Sequence, residues 1–249
     1  SIRDIMQEGR KPARVEESVD LVRNFFDLVL VHGDPELVAI GETLQGSEIF
    51  NSKIRYTGLV VPEINPTPRA IPALDAKPDV IVSVGGGAFG QRLLFAALEA
   101  MPLCKSFPRN WLVTTGTEMA EKDYLKICQR APEGMTIVRH IPDMVSALSA
   151  CQVSVSHSGY NTVGDILQAG CRSVLFPYVD GNETEQLRRA QMMARLGIAR
   201  CIEPDEFSPA SLAMHIDAAA EMEPESLGID LEGASKTPQI LLAELNTRH

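Results

Sequence analysis

The sequence of 249 residues predicts an α/β protein: a doubly wound parallel sheet preceded by the end of a second α/β domain. From about residue 79 onward, short apolar runs alternate with helix-like segments, as in consecutive βαβ units. These runs lack polar alternation, which is typical of strands covered on both faces. Five prolines between Pro62 and Pro78 separate this regular part from the residues before it.

The part before the prolines is predicted to belong to a larger domain. Its expected elements are a helix over 13–24, a strand over 26–31, a helical turn capped by Asp34, and a strand over 54–61. Two strands in about 60 residues bury little surface for an independent core. We therefore expect residues 1–61 to be the end of another domain and residues 62–78 to be a Pro-rich linker. Because the chain begins with Ser, we also expect a processed or truncated product.

The part after the linker, residues 79–249, is predicted to be one domain with helices at its carboxyl end. Strands are expected at Val80–Val84, Trp111–Thr114, Met135–Val138, Val153–Ser156, Ser173–Phe176 and Arg200–Ile202. Helices are expected at about 89–100, 118–130, 143–150, 161–169, 184–196, 208–221 and 235–246. Ligands of such sheets bind beyond the carboxyl ends of the strands, so the turns after the strands are candidate sites.

Composition excludes several classes of function. The net charge of −10 argues against non-specific nucleic-acid binding and against a broad basic membrane patch. No apolar run reaches the roughly 18–20 residues of a membrane span. Residues 1–20 are too polar for a signal peptide. We expect a location in the cytoplasm, with peripheral attachment at the inner membrane face as an alternative.

The five cysteines are scattered, odd in number and without a CxxC pair. This pattern predicts buried or half-buried thiols in a reducing compartment. No histidine stands at ligand spacing from them, so neither a metal nor a cofactor is predicted.

The turn from Ser156 to Asp165 carries most of the functional information. It stands where a strand passes into a helix, and there backbone N–H groups and the helix dipole favour an anion such as phosphate. The expected donors are the backbone groups of Gly159, Tyr160, Asn161 and Thr162, the hydroxyls of Ser158 and Thr162, and His157. Asp165 lies about one turn into the helix, where its carboxylate can accept from ribose hydroxyls. The block predicts a nucleotide-diphosphate site.

Each of these residues also has a simpler structural explanation. His157 can bond a backbone carbonyl or cap the helix, and Asn161 and Thr162 can be plain caps. Asp165 can be a solvated acid favoured by the helix dipole.

A glycine loop, Gly85 to Gly90, follows the first strand of the large domain and satisfies G-x-G-x-x-G. An NAD site would need an acidic residue at the tip of the second strand, but the nearest acid, Glu118, comes after that tip. The glycines can also serve only a tight turn and close helix packing. The favoured interpretation is that Gly86 and Gly87 face a phosphate or sugar across a cleft.

Two further segments should join this edge of the sheet. Ile141 and its neighbours follow the third strand and can offer backbone groups to a base edge. Glu185 and Gln186 begin a helix and can bind sugar hydroxyls, although an ordinary polar helix face is the alternative.

The order His157-x-Gly159-x-Asn161-Thr162-x-x-Asp165, then Gly170, Pro177 and the pair 185–186, resembles the donor-site signature of GT-B glycosyltransferases. The tail from Ala190 to Ala199 is similar to the family 28 carboxyl-terminal domain. That family includes the N-acetylglucosaminyltransferase of lipid-linked peptidoglycan precursor synthesis, and the signature is also similar to that of UDP-glycosyltransferases. The resemblance covers roughly residues 78–205.

The resemblance implies a Rossmann-like donor domain and transfer of a hexosyl group from a UDP-linked sugar to an acceptor whose identity it does not give. Residues 1–61 would then be the remnant of the acceptor-side domain. The general base would lie in the part of that domain that the chain does not contain, so we expect nucleotide binding with little transfer by this chain alone. The alternatives are a sugar-nucleotide epimerase, a hydrolase, or a non-catalytic binding module.

Three positions depart from the family pattern. Asp165 stands where Glu is usual and Glu185 where Asp is common. Arg172 stands where the Gly-x-Pro step is expected. The first two changes bear on the identity of the nucleotide and sugar, because they alter the reach of each carboxylate.

Overall fold

The computed structural model describes residues 1–5, 12–67, 77–84, 90–106, 110–179, 184–223 and 228–247. Contacts between Cα atoms group the described residues into two compact units. One contains those within residues 1–62, 179–185 and 227–249, and the other those within 63–178 and 186–226.

The first unit is built on a three-stranded parallel sheet in the order β1-β2-β3. Its elements are β1 (Ile2–Arg3), α1 (Pro12–Phe25), β2 (Val29–His32), β3 (Ile54–Tyr56) and α8 (Gly233–Asn246), with short 3₁₀ turns at Ile40–Glu42 and Ser47–Lys53. Its apolar core joins α1 and the sheet through residues that include Val19, Val31 and Phe50. The predicted strand 54–61 ends earlier because the chain turns at Gly58, whose φ is 82°. Asp34 behaves as predicted, since its carboxylate accepts from the Glu36 N–H at 2.8 Å.

The last helix, α8, groups with residues 1–62, which differs from its allocation to the predicted domain 79–249. Backbone bonds explain the grouping. The Leu59 N–H donates to the Asp230 carbonyl at 2.7 Å, and the Gly233 N–H donates to the Leu59 carbonyl at 3.0 Å. Gly233 lies against the Gly58 backbone so closely that a Cβ there would be 2.5 Å from the Gly58 carbonyl oxygen. Such long-range backbone pairing leaves no periodic signal in the sequence.

The second unit contains a six-stranded parallel sheet in the order β6-β5-β4-β7-β8-β9, so the predicted doubly wound α/β class is confirmed. The strands are β4 (Val80–Ser83), β5 (Trp111–Thr114), β6 (Met135–Val138), β7 (Val153–Ser156), β8 (Arg172–Leu175) and β9 (Arg200–Cys201). The helices are α2 (Gln91–Ala100), α3 (Glu121–Arg130), α4 (Met144–Ala150), α5 (Tyr160–Ala169), α6 (Glu185–Arg195) and α7 (Pro209–Ala220). All six strands and six helices were predicted, with ends shifted by up to three residues.

The two faces of this sheet differ in chemistry. One face contributes the valines of β4 and β7, Trp111 and Val113 to an apolar core with α2 and α7. The residues between them on β4, β5 and β7 include Ser83, Thr114, Ser154 and Ser156, and all four are buried. The strands are covered on both faces, as predicted, but on one of them the buried layer bears hydroxyl groups.

The order of the strands reverses between β4 and β7, where ligands of such sheets usually bind. From β4 the chain adds β5 and β6 on one side, and then returns to add β7, β8 and β9 on the other. β4 pairs with both β5 and β7 in parallel, so Ser83 lies level with Thr114 and Ser156 at the carboxyl edge. At such a reversal the connecting segments diverge and leave a crevice.

None of the described helices is long and apolar enough to span a membrane. The five cysteines are free thiols, with Cys104 and Cys171 buried and the other three half-buried, as predicted.

Gly90 provides a test of the packing between α2 and β4. A Cβ on this residue would lie 2.3 Å from the Val84 Cβ. Gly90→Ala is therefore expected to lower the free energy of unfolding by about 1–3 kcal/mol, the usual cost of overpacking a core. Trp111 is the only tryptophan, is fully buried in β5, and reports unfolding by its fluorescence.

Gly159→Ala is the matched control, because Gly159 has a φ of −63° and the nearest atom to a Cβ there is 4.0 Å away. Equal stability of the two variants would contradict close packing at Gly90.

Candidate functional site

A cavity of about 230 Å³ opens at the carboxyl edge of the six-stranded sheet. Its wall combines strand-end hydroxyls, the segments after β5 and β6, and residues of α4 and α5. The lining residues are Ser83, Thr114, Gly116, Thr117, Arg139, His140, Ile141, Met144, Leu148, Ser154, Ser156, Thr162, Asp165 and Ile166. The cavity joins three residues predicted for nucleotide binding, Ile141, Thr162 and Asp165.

The amino terminus of α5 begins beside this cavity. Gly159 is the N-cap residue and has no side chain to bond the first-turn N–H groups. Asn161 and Thr162 lie inside the helix rather than at its cap, and the Asn161 side chain is exposed. The first turn of a helix carries partial positive charge, so this end of α5 favours an anion. Tyr160, by contrast, is only 7% exposed and can serve a ligand through its backbone alone.

Ser158 is held by α6. The residue is fully buried, and its hydroxyl donates to the Gln186 carbonyl at 2.7 Å. The Arg189 guanidinium, also fully buried, donates to the Ser158 carbonyl at 2.9 Å. These two bonds fix the chain just before α5, and they engage the hydroxyl that we predicted to donate to phosphate.

His157 bonds a backbone carbonyl, as its simpler structural explanation anticipated. Its Nδ1 lies 2.6 Å from the Phe176 carbonyl oxygen, and since a carbonyl only accepts, Nδ1 carries the proton. Its Nε2 is buried and has no hydrogen-bond partner among the described residues. Burial lowers the pKa of His157, although the Phe176 bond opposes this effect. In the neutral ring Nε2 is an acceptor, so a bond from Nε2 to a phosphate oxygen requires the imidazolium form.

Asp165 is not a solvated helix-end acid. It lines the cavity, and burial raises the pKa of its carboxyl to about 6. No described residue donates a hydrogen bond to this carboxylate that would stabilise its ionised form. A carboxylate in this state gains from a ligand that donates hydroxyl groups to it.

The two residues predicted to bind the sugar, Glu185 and Gln186, are not among those that line the cavity. Glu185 and Gln186 begin α6, and the Gln186 side-chain oxygen accepts from the Tyr178 N–H at 3.2 Å. Gly86 and Gly87 fall outside the described residues, so the proposed role of the glycine loop stays a prediction. Gly90, the last glycine of the motif, serves close packing of α2 on β4.

Sequence reasoning assigned no role to the hydroxyl residues of the strands that line the cavity: Ser83, Thr114, Ser154 and Ser156. A signal for them exists, because hydroxyl residues recur at alternate positions of strands that are otherwise apolar. Sequence reasoning also assigned no role to Arg139. It donates to the Met119 carbonyl at 2.8 Å, pairs with Glu121, and lies 4.2 Å above the Tyr124 ring, which fixes this side of the cavity.

The bond from Arg189 to Ser158 predicts a stability effect. Arg189→Met is expected to lower the free energy of unfolding by about 1–3 kcal/mol, because the Ser158 carbonyl would stay buried without the donor that it has in the wild type. Arg195→Met, at an exposed position of the same helix, is the control and should change stability by less than about 0.5 kcal/mol. Urea unfolding followed by Trp111 fluorescence measures both, and a small effect at Arg189 would show that the turn is held in another way.

Comparison of sequences places this site in a known family. The chain is 32% identical over 137 residues to the UDP-N-acetylglucosamine--N-acetylmuramyl-(pentapeptide) pyrophosphoryl-undecaprenol N-acetylglucosamine transferase of Solibacter usitatus, covering 53% of this chain and 38% of that protein. It is 24% identical over 171 residues to an uncharacterized glycosyltransferase, MK0977, of Methanopyrus kandleri, covering 67% and 45%. The chain thus spans less than half the length of these relatives.

Solved structures agree on the fold. The glycotransferase of kitacinnamycin superposes with a TM-score of 0.65 at 17% identity, covering 97% of this chain and 62% of that one. MurG of Acinetobacter baumannii superposes with a TM-score of 0.53 at 16% identity, covering 98% and 82%. These likenesses confirm the predicted GT-B type of fold.

The sequence model of the glycosyltransferase family 28 C-terminal domain matches residues 81–234, which include the whole cavity wall and the α5 turn. With that match over more than half of its length, the chain belongs to glycosyltransferase family 28.

Proposed function

We propose that this chain is the donor-binding part of a hexosyltransferase that uses a nucleotide-diphosphate sugar, with UDP as the nucleotide. The observation that carries the proposal is the juxtaposition of the cavity with the amino terminus of α5. Thr162 and Asp165 belong to both, because each lies in the first turns of the helix and in the cavity wall. A nucleoside in the cavity would therefore direct its diphosphate toward the helix terminus.

Each part of the donor has a matching group in this arrangement. The base would lie against Ile141, and its ribose would approach Asp165. The diphosphate would meet the N–H groups of the first turn of α5, which Arg189 and Gln186 hold through Ser158. The sugar would extend toward Glu185 and Gln186.

The chemistry assigned to this chain is stabilisation of the leaving group. When the glycosyl bond breaks, negative charge grows on the departing diphosphate. The dipoles at the start of α5 are already oriented toward that charge, so they stabilise the transition state without reorganising. We place the base that deprotonates the acceptor in the part of the longer relatives that this chain does not cover. The chain alone should therefore bind nucleotide and transfer little sugar.

The name of the Solibacter relative supports UDP-N-acetylglucosamine as the first donor to test. Incubation of the chain with this donor separates the alternatives. Release of free sugar without an acceptor would indicate a hydrolase, and an altered sugar an epimerase. Robust sugar transfer by the 249-residue chain itself would contradict the proposal that the general base lies outside this chain.

Binding of UDP to the chain tests the site directly. Asn161→Ala and His157→Ala are each expected to weaken UDP binding by about 1–3 kcal/mol. The first removes an amide that can donate to the diphosphate, and the second removes a ring whose imidazolium form, favoured by the bound diphosphate, donates from Nε2. Isothermal titration calorimetry measures the loss. Gln191→Ala, on the exposed face of α6 and bonded to Glu203, is the control and should bind as the wild type does. Unchanged affinity for UDP in the first two variants would show that the α5 turn serves the fold and does not contact the nucleotide.

Asp165 predicts opposite effects on stability and binding. Its pKa is raised from 3.8 to about 6, so its ionised form destabilises the folded chain above pH 6, and the penalty fades as the pH falls toward 4. Asp165→Asn should therefore unfold at higher urea concentration than the wild type at pH 7.5, lose this advantage near pH 4, and bind UDP more weakly.

Asp205→Asn, at an exposed turn, is the control for the loss of one charge. Two results would contradict the assigned role: an Asp165→Asn variant that is less stable than the wild type at pH 7.5, or one whose affinity for UDP equals that of the wild type.

A further inference from the structure

Two cysteines enter the six-stranded sheet next to each other at its amino-terminal edge. Cys171 directly precedes β8, and Cys151 ends α4 just before β7. β7 and β8 pair in parallel with Val153 level with Arg172, so the residues that lead into the two strands are neighbours. Paired strands lie about 4.8 Å apart, and a disulfide joins Cα atoms about 4.4–6.8 Å apart. The backbone therefore brings the two cysteines to about the separation that a disulfide spans.

The side chains of these two cysteines contact each other. The Cys151 thiol forms a hydrogen bond with the Cys171 sulfur, and it also lies 3.2 Å from the Leu148 carbonyl oxygen. The Cys171 sulfur further lies 3.7 Å from the Ser154 hydroxyl and 3.6 Å from the Ser173 hydroxyl. Three groups that can donate to a thiolate thus surround Cys171.

This environment activates one thiol of the pair. Hydrogen bonds, above all the one with Cys151, lower the pKa of Cys171, although burial opposes them. The same bond, together with burial, raises the pKa of Cys151. The pair therefore combines a thiolate, which is the nucleophilic form of cysteine, with a protonated thiol beside it. Redox-sensing cysteines commonly have such a second thiol next to the reactive one.

Two of the other cysteines have a different environment. The Cys104 sulfur lies 4.0 Å from the Ala213 carbonyl oxygen, and burial together with the Asp217 carboxylate raises its pKa to about 12. Burial and the Glu203 carboxylate likewise raise the pKa of Cys201 to about 12. Both thiols stay protonated near neutral pH, so they are poor nucleophiles.

We propose that Cys151 and Cys171 form a redox-sensitive dithiol that hydrogen peroxide converts to a disulfide in the folded chain. The Cys171 thiolate attacks one peroxide oxygen, the O–O bond breaks, and the departing hydroxide takes up a proton and becomes water. The Cys151 sulfur then attacks the resulting sulfenic acid, the S–O bond breaks, and the Cys151 proton leaves with the hydroxide as a second water. The two sulfurs together lose two electrons, and the peroxide gains them.

The disulfide would join the ends of two helices that line the cavity. Cys151 follows α4 directly, and Cys171 follows α5 after its cap at Gly170. The cavity wall includes Leu148 of α4 and Ile166 of α5. The cross-link closes a loop that contains β7 and α5, and such a loop restricts the unfolded chain. The oxidised chain should therefore unfold at a urea concentration no lower than the reduced chain does.

Mass spectrometry of the chain treated with hydrogen peroxide in native buffer tests the inference. Both cysteines fall in one tryptic peptide, residues 140–172, because no Lys or Arg lies between Arg139 and Arg172. After treatment this peptide should be lighter by two hydrogen atoms. Dithiothreitol should restore its reduced mass, because a disulfide is reversible whereas a sulfinic acid is not.

Serine variants assign the roles of the two thiols. Cys151→Ser keeps a donor beside Cys171 but removes the second sulfur, so the peptide should gain oxygen at Cys171, located by fragmentation, and form no disulfide. Cys171→Ser should show neither change. Cys104→Ser is the matched control, because it removes a buried thiol outside the pair, and its peptide 140–172 should oxidise as that of the wild type does. Urea unfolding followed by Trp111 fluorescence verifies that each variant is folded.

Three results would overturn the inference. The first is a peroxide-treated wild type in which this pair stays reduced while Cys104 or Cys201 is oxidised. The second is a disulfide between Cys151 and Cys171 that forms only in urea. The third is an oxidised chain that unfolds at lower urea concentration than the reduced chain, because the bond would then distort the fold. UDP binding by the reduced chain tests the donor site separately, so either conclusion can fail without the other.

Discussion

Parallel pairing of β4 with β5 on one side and β7 on the other is the constraint on which the rest of the second unit depends. Parallel strands need crossover segments, and here the segment after β4 leads to β5 on one side while the segment after β7 leads to β8 on the other. The pairing brings Ser83, Thr114 and Ser156 to one level at the carboxyl edge. The cavity and the start of α5 lie at that edge because the strands end there together. A change of register by one residue would turn the hydroxyl layer toward α2 and α7.

The division of the sheet into an apolar and a hydroxyl-bearing face separates stability from binding. The apolar face, with Trp111 fully buried among aliphatic side chains of α2 and α7, gives a continuous core. On the other face the hydroxyls must find partners, and Thr114 and Ser154 find them within the protein. The Ser156 hydroxyl has no partner within the part of the chain that the structure describes, and burial raises the pKa of the Asp165 carboxyl. The cavity thus retains unsatisfied polar groups that a ligand can satisfy, at a cost to the stability of the free protein.

The α5 turn illustrates how a neighbouring helix can fix the backbone at the proposed anion site. Ser158 is pinned through its hydroxyl and its carbonyl by Gln186 and Arg189 of α6. His157 is pinned through Nδ1 by Phe176 at the end of β8. These bonds engage the Ser158 hydroxyl and carbonyl and the His157 Nδ1, so these groups do not compete for the ligand. They also hold the backbone of the first turn and the His157 Nε2 in fixed positions. Preorganised dipoles of this kind are effective because they need no rearrangement when charge develops.

The sequence by itself determined the element order and the parallel α/β class, because strand-helix alternation and short apolar runs are local signals. It also marked the α5 turn, Ile141 and Asp165, since strand-to-helix junctions can be located from local patterns. It could not assign α8 to the first unit, because that grouping depends on backbone bonds between Leu59 and residues 230–233. Nor could it distinguish Ser156 from Ser154. Both are buried serines of one strand, and only the tertiary structure decided that Ser154 pairs with Ser173 of the neighbouring strand, whereas the Ser156 hydroxyl has no partner among the described residues.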